Sequence, residues 1–271
     1  MKFWHSRLVN RENAGRFFTD KQTKRVIFGL VFIMLTWMSA QLIGFELPLI
    51  FERFQPAMQR FVKLYFPPLF KESFKLIDAI WVTFLLAVAS GTIGSFLAYF
   101  TALAMSRTTG KNKVLSILVR FVTTFIRNVP SSIWAIILLL AFWFGEFLAF
   151  LVMTLGSFGF TARIFADMID ETNPDSIEAL ESTGANFWQI VAQSIFPETL
   201  PITISWALYS IENNIRDATI VGILAGGGIG HLIGIYKNFR RFDELAAAVI
   251  CIVVMVLLFD QVSMYIRKRI L

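Results

Sequence analysis

Apolar residues in this chain come in long blocks, and the turn-forming and charged residues fall between them. Val26–Phe45 runs for twenty positions without a charge, enough for one membrane-spanning helix. Ala79–Met105 is a second uncharged run, with Ala87, Ala89, Ser90, Gly91 and Gly94 along its middle. Small residues in that position let helices approach closely in lipid. Val114–Phe144 is a third run, interrupted by Arg120, Arg127 and Pro130. A fourth extends from Phe147 to about Ile169, a fifth from about Pro201 to Leu224, and a sixth from Leu245 to about Ile266. Residues 46–76 are mixed, with Pro48, Pro56, Pro67, Pro68 and charges of both signs, and predict an external loop with amphipathic pieces at the membrane interface. The pattern predicts an all-α integral membrane protein with six transmembrane helices.

The polar stretch between the fourth and fifth runs, Asn173–Pro201, has an organisation of its own. Pro174 disfavours helix at Asn173, and Asp175 followed by Glu178 has capping-box spacing, with Asp in place of Ser or Thr. A short helix is predicted from about Ser176, ending at Gly184, which takes the left-handed conformation readily. Phe187, Ile190, Val191, Ser194 and Ile195 then fall at i, i+3, i+4, i+7 and i+8, the stripe of a second short helix. Pro197 and Pro201 are predicted to punctuate the entry into the fifth span. Two short helices meeting at a corner, too polar to cross a bilayer, have the form of a docking element.

Charge sets the expected orientation. Lys2, Arg7, Arg11, Arg16, Lys21, Lys24 and Arg25 outnumber Glu12 and Asp20 before the first span. Arg107–Lys113 is a short basic turn, and Arg267, Lys268 and Arg269 close the sequence. Under the positive-inside rule these segments share the cytoplasmic side, so both termini are expected there, together with the 170–200 loop. Lys237, Arg240 and Arg241 fall on the opposite side and run against the rule. A cleaved signal peptide fits poorly: the basic region and the apolar run are both too long, and no small-x-small site follows.

Composition narrows the function. With 56% hydrophobic residues, 29 Phe and 7 Trp in 271 positions, a soluble domain would expose too much apolar surface. The net charge of +6 is read as basic cytoplasmic ends rather than a nucleic-acid surface. Cys251 is the one cysteine, which leaves no internal disulfide, and His5 and His231 have no acidic ligand pattern around them, so no metal site is expected. No Gly-x4-Gly-Lys-Ser/Thr phosphate loop occurs, so ATP hydrolysis by this chain is not expected.

The strongest chemical signal lies inside the fifth span. Ser210, Glu212, Asn213, Asn214, Arg216, Asp217 and Thr219 are too many polar groups to leave in lipid. Glu212, Arg216 and Thr219 share one face at i, i+4 and i+7. One reading is a Glu212–Arg216 pair that neutralises itself and ties helices together. The other is a translocation path on which Arg216, helped by Arg127 beside Pro130, favours an oxyanion through charge-assisted hydrogen bonds. The Ala225–His231 segment contains Gly226, Gly227, Gly228 and Gly230 and reads as a flexible, gate-like link. Its spacing is not that of a nucleotide-binding glycine loop. Arg120 is read as snorkelling near the cytoplasmic face.

Glu178-Ala179-Leu180, Gly184 and Phe196-Pro197 together resemble the EAA loop of ABC-importer permeases, with Leu180, Ser194 and Phe196 departing from the commonest residues. Arg127-Asn-Val-Pro130 with Trp134, Glu178-Ala-Leu-Glu-Ser-Thr-Gly184, and Glu212-Asn-Asn-Ile-Arg216-Asp-Ala-Thr219 followed by Gly226–Gly230 occur in the order of the phosphonate-type ABC-importer permeases, over roughly residues 76–266. The resemblance implies a type I permease core of five helices over residues 76–271. Residues 1–75 would add the basic N-terminus, one helix and an interfacial loop, and the coupling loop would cover about 173–197. It implies a bacterial cytoplasmic-membrane transport subunit, not an enzyme. The expected partners are two ATP-binding cassette subunits that hold ATP and magnesium, a second permease copy or close paralogue, and a periplasmic or lipid-anchored substrate-binding protein. Ser176, Glu178, Ala179, Gly184 and Phe187 would serve coupling, and Arg127, Glu212, Asn213, Asn214, Arg216 and Thr219 the pathway. Expected cargo is phosphonate, phosphite or phosphate. A permease for another solute such as methionine is the alternative, and a stand-alone secondary transporter, for which no internal repeat is seen, is a more distant one.

Overall fold

The computed structural model describes residues 20–110 and 112–270, and every regular element among them is helical. In chain order these are α1 (Asp20–Leu42), α2 (Leu47–Tyr65), α3 (Ser73–Met105), α4 (Lys113–Asn128), α5 (Ser131–Phe142), α6 (Glu146–Asp170), α7 (Pro174–Ser182), α8 (Phe187–Ile190), a π-helical segment (Val191–Ile195), α9 (Phe196–Ala225), α10 (Gly228–Asn238) and α11 (Phe242–Ile270). The chain divides into two units, Met1–Phe61 and Val62–Leu271. The basic residues Lys2, Arg7, Arg11 and Arg16 lie outside the described residues.

Four helices are long and apolar enough to cross a membrane: α1, α3, α6 and α11. The count reaches six when each of two bent pairs, α4 with α5 and α8–α9 with α10, is one span. The third predicted run is therefore not a straight helix. It turns by 99° between α4 and α5, because Val129 is held extended before Pro130 and the chain restarts as α5 at Ser131. The indole Nε1 of Trp134 donates to the Ile126 carbonyl at 3.2 Å and closes the corner. Arg120 does more than snorkel: its Nη2 donates to the Met105 carbonyl at 2.7 Å, placing a cation on the C-terminal end of α3.

α2, most of which belongs to the first unit, follows α1 after four residues. Phe51, Phe54, Met58 and Phe61 recur at i, i+3, i+7 and i+10 and are all exposed, while Arg53 and Arg60 lie two turns apart on another face. A helix with that division, amphipathic and not apolar enough to span, belongs in the interface plane. A tryptophan placed at Phe54 (Phe54→Trp) in the full-length protein should be quenched by lipids brominated near the headgroup, consistent with burial of about 5–10 Å. Quenching by aqueous iodide instead would place the helix in solvent.

In the second unit α3 is the central helix. Its C-terminal half packs with Ala162, Phe165, Ala166 and Ile169 of α6 and with Ile190, Val191 and Ile195. Its first turns pack with Ile229, Ile233, Tyr236, Ala247 and Ala248 of α10 and α11. A third cluster joins α5, α6 and α9 through Ala135, Leu148, Val152, Ala218 and Val221. Where α9 crosses α3 the backbones nearly touch: a Cβ at Gly91 would lie 2.5 Å from Ile211 Cγ1 and 3.1 Å from Ile211 Cα. Outside the bundle, Arg241 Nη2 donates to Glu72 Oε1 at 3.1 Å and pairs with Glu244. Hydrogen bonds from Arg241, then from Lys75, hold the Glu72 carboxyl below its ordinary value.

The predicted docking stretch differs from expectation in two ways. The α7 cap is Asn173, whose Oδ1 accepts from Asp175 N at 3.0 Å; Asp175 and Glu178 form no capping box, because the helix starts at Pro174, two residues earlier than the spacing predicts. Pro197 and Pro201 do not interrupt the chain. The backbone runs helically from Phe187 to Ala225, with Pro197 in the first turn of α9 and Pro201 inside it. The π segment lies immediately before Pro197 and closes with Phe196 N on Val191 O, so the shift in hydrogen-bond register falls where the proline lacks a donor.

Candidate functional site

Two places in the second unit concentrate polar chemistry. The first is a cavity of about 330 Å³ between the α4–α5 corner, α6 and α9, lined by Arg127, Val129, Pro130, Ser131, Gly156, Ser157, Phe160, Ser210, Asn213, Asn214 and Asp217 among others. Ser210, Asn213, Asn214 and Asp217 fall at i, i+3, i+4 and i+7, a single polar face of α9. Opposite them stands Arg127, an exposed side chain whose backbone packs on α6: a Cβ at Gly159 would lie 3.0 Å from Arg127 N.

Asn214 anchors this face. It is buried, and its Nδ2 donates to Ser90 Oγ of α3 at 2.8 Å and to Ser157 Oγ of α6 at 2.8 Å. One amide thus ties three helices at the cavity wall, with its donors satisfied as burial demands. Arg127 and Asp217 differ: neither makes an ion pair among the described residues.

Glu212, Arg216 and Thr219, read from the sequence as one face, lie beside the cavity rather than in its wall. Arg216 Nη2 pairs with Glu212 Oε1, its Nη1 donates to Asn213 Oδ1 at 3.3 Å, and Arg267 Nη2 of α11 lies 3.8 Å from Glu212 Oε2. The buried Glu212 carboxylate is therefore shared between a half-exposed arginine on its own helix and one on α11. The sequence reading left both the pair and the path open; the pair is formed. Thr219 is half-buried, and its carbonyl would lie 2.4 Å from a Cβ at Gly230. Ser210 and Asp217 were not among the pathway candidates drawn from the sequence, although their spacing with Asn213 and Asn214 carried the signal.

Gly226, Gly227, Gly228 and Gly230 form a packed corner rather than a loose link. Gly226 ends α9 at φ +91°, α10 leaves at 54°, and a Cβ at Gly222 would meet Gly227 O at 2.3 Å and Gly230 Cα at 2.9 Å. Ile229 N donates to Thr83 Oγ1 at 2.8 Å, which fixes the corner to α3.

The second place is the α7–α8 corner. Gly184, at φ +82°, follows α7 in a Schellman closure: Gly184 N donates to Glu181 O at 3.0 Å and Ala185 N to Leu180 O at 3.1 Å. Asn186 and Gln189 then form the capping box of α8. Of the predicted coupling residues, Ser176 and Phe187 face the body. Ser176 Oγ lies 2.8 Å from Ser194 Oγ, and Phe187 packs on the cluster of Phe165 and Ile169. Glu178, Ala179 and Gly184 are exposed. Asn173 N donates to Glu198 Oε1 at 3.1 Å and ties α7 to the base of α9.

Residues 90–271 match the family described as binding-protein-dependent transport system inner membrane component. The chain is 30% identical over 196 residues to the phosphate-import permease protein PhnE of Mycolicibacterium smegmatis, covering 72% of this chain and 36% of that one. It is 28% identical over 203 residues to the phosphite transport system permease protein PtxC of Stutzerimonas stutzeri, covering 75% of this chain and 74% of the relative. It thus spans about a third of the length of the first relative and three quarters of the second. In fold it resembles the inward-facing MetNI methionine ABC transporter, with a TM-score of 0.66 at 20% identity over 73% of this chain and 97% of the matched one. With the match covering most of its length, this chain belongs to the binding-protein-dependent transport system inner membrane components.

Proposed function

We propose that the chain is the permease subunit of an ATP-driven importer for a phosphorus oxyanion (phosphonate, phosphite or phosphate). The observation that supports this best is Arg127, a cation without an ion pair among the described residues, in the wall of a polar cavity formed by membrane helices. Ser131, Ser157, Ser210 and Asn213 around it supply hydroxyls and an amide that bind an oxyanion without fixing it too strongly for release, while Asn214 holds the wall. The names of the relatives agree with a phosphorus oxyanion.

Partners follow from the same reading. The exposed Glu178 and Ala179 of α7, with the Gly184 corner, present the surface for a separate ATPase subunit that binds ATP and magnesium. A second permease copy or close paralogue completes the conduit, and a binding protein delivers cargo from outside. The termini and the α7–α8 corner then lie on the cytoplasmic side of a bacterial inner membrane. The test is ATPase activity of the complex in lipid, with and without binding protein loaded with a phosphonate. Stimulation by the loaded form is expected; a complex indifferent to every phosphorus oxyanion overturns the substrate assignment.

Coupling is tested at Gly184. No atom lies within 4 Å of a Cβ at this position, so Gly184→Val acts through backbone strain alone, about 1–2 kcal/mol in the left-handed region. Membrane insertion should be retained and transport abolished, with stimulated ATP hydrolysis lost as well. Retained stimulation in this variant would remove the corner from the coupling path.

A further inference from the structure

We infer that Arg267 of α11 is the reserve counter-ion of Glu212: it takes over the carboxylate when Arg216 turns to a passing oxyanion, and so makes Arg216 a second cationic contact on the path. This rests on the phosphorus-oxyanion reading above and adds to it a positioning residue, Arg267.

The inference starts from one buried carboxylate contested by two guanidinium groups. Glu212 is buried near the middle of α9. Arg216 pairs with its Oε1 and Arg267 approaches its Oε2, so each arginine has an oxygen to itself. The two contacts are unequal. Arg216 has its hydrogen bond, whereas Arg267 Nη2 stands 3.8 Å from Oε2, outside hydrogen-bond reach. Arg267 Nη2 and Nε are both buried without a hydrogen-bond partner among the described residues, as is Oγ of Ser263 one turn earlier on the same helix face. Buried donors are nearly always satisfied, and a charged one left without a partner is costly. A movement of about 1 Å would bring Nη2 to the roughly 2.9 Å of a charge-assisted hydrogen bond, with no turn of the carboxylate.

Charge gives this group its use. A Glu212–Arg216 pair alone is neutral and has no net attraction for an anion. Arg267 turns the pair into two cations around one carboxylate, so one positive charge is in surplus whichever arginine holds Glu212. Arg216 is the one placed to leave. Its side chain is half-exposed, whereas the Arg267 nitrogens are buried. Its Nη1 already donates to Oδ1 of Asn213, which lines the cavity. As Arg267 closes on Glu212 the hold on Arg216 weakens, and an oxyanion at the Asn213 edge meets a released planar fork instead of a neutral pair. When the anion moves on, Arg216 returns to Glu212, which keeps the contact weak enough for release.

The test is initial uptake of radiolabelled phosphate, phosphite and methylphosphonate by the full complex in proteoliposomes, with assembly checked by size-exclusion chromatography. Arg267→Gln leaves Glu212 and Arg216 as a locked neutral pair, and uptake should fall about tenfold, the scale of one charge-assisted hydrogen bond. Removing the carboxylate as well, in Glu212→Gln/Arg267→Gln, releases Arg216 and should return uptake to within about threefold of wild type, a coupling that a double-mutant cycle reads directly. Adding Arg216→Gln to that double variant should lose the recovered rate. An ion pair that only ties helices together predicts the reverse, with the double variant no faster than the single one. That result, or wild-type uptake in Arg267→Gln, would overturn the inference while the cargo reading stands. If Arg267→Gln does not assemble, the double and triple variants decide: uptake in the double that is lost in the triple supports the inference, and no uptake in the double, or equal uptake in both, overturns it. A wild type that carries none of the three anions overturns the cargo reading and the inference together.

Discussion

Uptake of any phosphorus oxyanion should fall about a hundredfold in Arg127→Gln, measured as initial rate into proteoliposomes holding the full complex. A charge-assisted hydrogen bond is worth about 1.5–3 kcal/mol, and each 1.4 kcal/mol is a factor of ten, so loss of the guanidinium from the cavity wall reaches that scale. Glutamine keeps much of the length and removes the charge. Because Arg127 has no ion pair among the described residues, its removal strands no buried carboxylate, and the complex should assemble normally. Arg127→Lys separates charge from shape: a point charge without the planar fork should recover part of the rate. Full activity in Arg127→Gln would move the anion path elsewhere.

The second large effect is expected at Gly222. A valine there would set its Cβ 2.3 Å from Gly227 O and 2.9 Å from Gly230 Cα, and neither is the end of a side chain that can swing away. Overpacking of this kind costs about 1–3 kcal/mol, and more where backbone must move. Moving this backbone pulls on Ile229 N and its bond to Thr83. Gly222→Val should therefore lose its folded form in detergent at a clearly lower temperature than the wild type, read by loss of the monodisperse peak after heating. Gly234, where a Cβ would sit 3.8 Å from its nearest neighbour, provides the control: Gly234→Ala should be close to neutral. Equal melting of Gly222→Val and wild type would show that the corner is looser than its contacts imply.

Much of the fold was legible because its signals are local. Uncharged runs gave α6 and α11 to within four residues and located α1 and α3 with starts six residues late, because charged residues open both helices; the stripe of Ile190, Val191, Ser194 and Ile195 is buried as its spacing required. Gly184 was readable as a corner because a glycine after a short polar helix has few other uses. Pro197 was misread because the π register just before it falls where the proline lacks a donor, and Pro201 because α9 continues through it. Asn173 was passed over as cap because its side chain competes with two neighbours, Asp175 and Ser176, that satisfy the same rule in sequence. The third run hid a 99° turn, since composition reports hydrophobicity and not direction. The polar positions of α9 were legible as a group, but their division was not. Glu212 turns to Arg216 and Arg267 while Asn213 and Asp217 line the cavity, and the choice depends on where α11 lies. That is a long-range fact which no spacing carries.

The helix that begins at Phe187 and continues through the π segment to Ala225 has a mechanical meaning. At about 1.5 Å per residue it is a rod of roughly 60 Å, held near its middle where Ile211 bears on Gly91 and Asn214 grips Ser90 and Ser157. Its two ends are gripped as well, by the packing of Ile190, Val191 and Ile195 on α3 and α6 and by the Gly222 corner tied to Thr83. A push at the α7–α8 corner would therefore be carried along the whole rod and shared with α3 and α10, so a drive of this kind needs no hinge between the docking corner and the membrane.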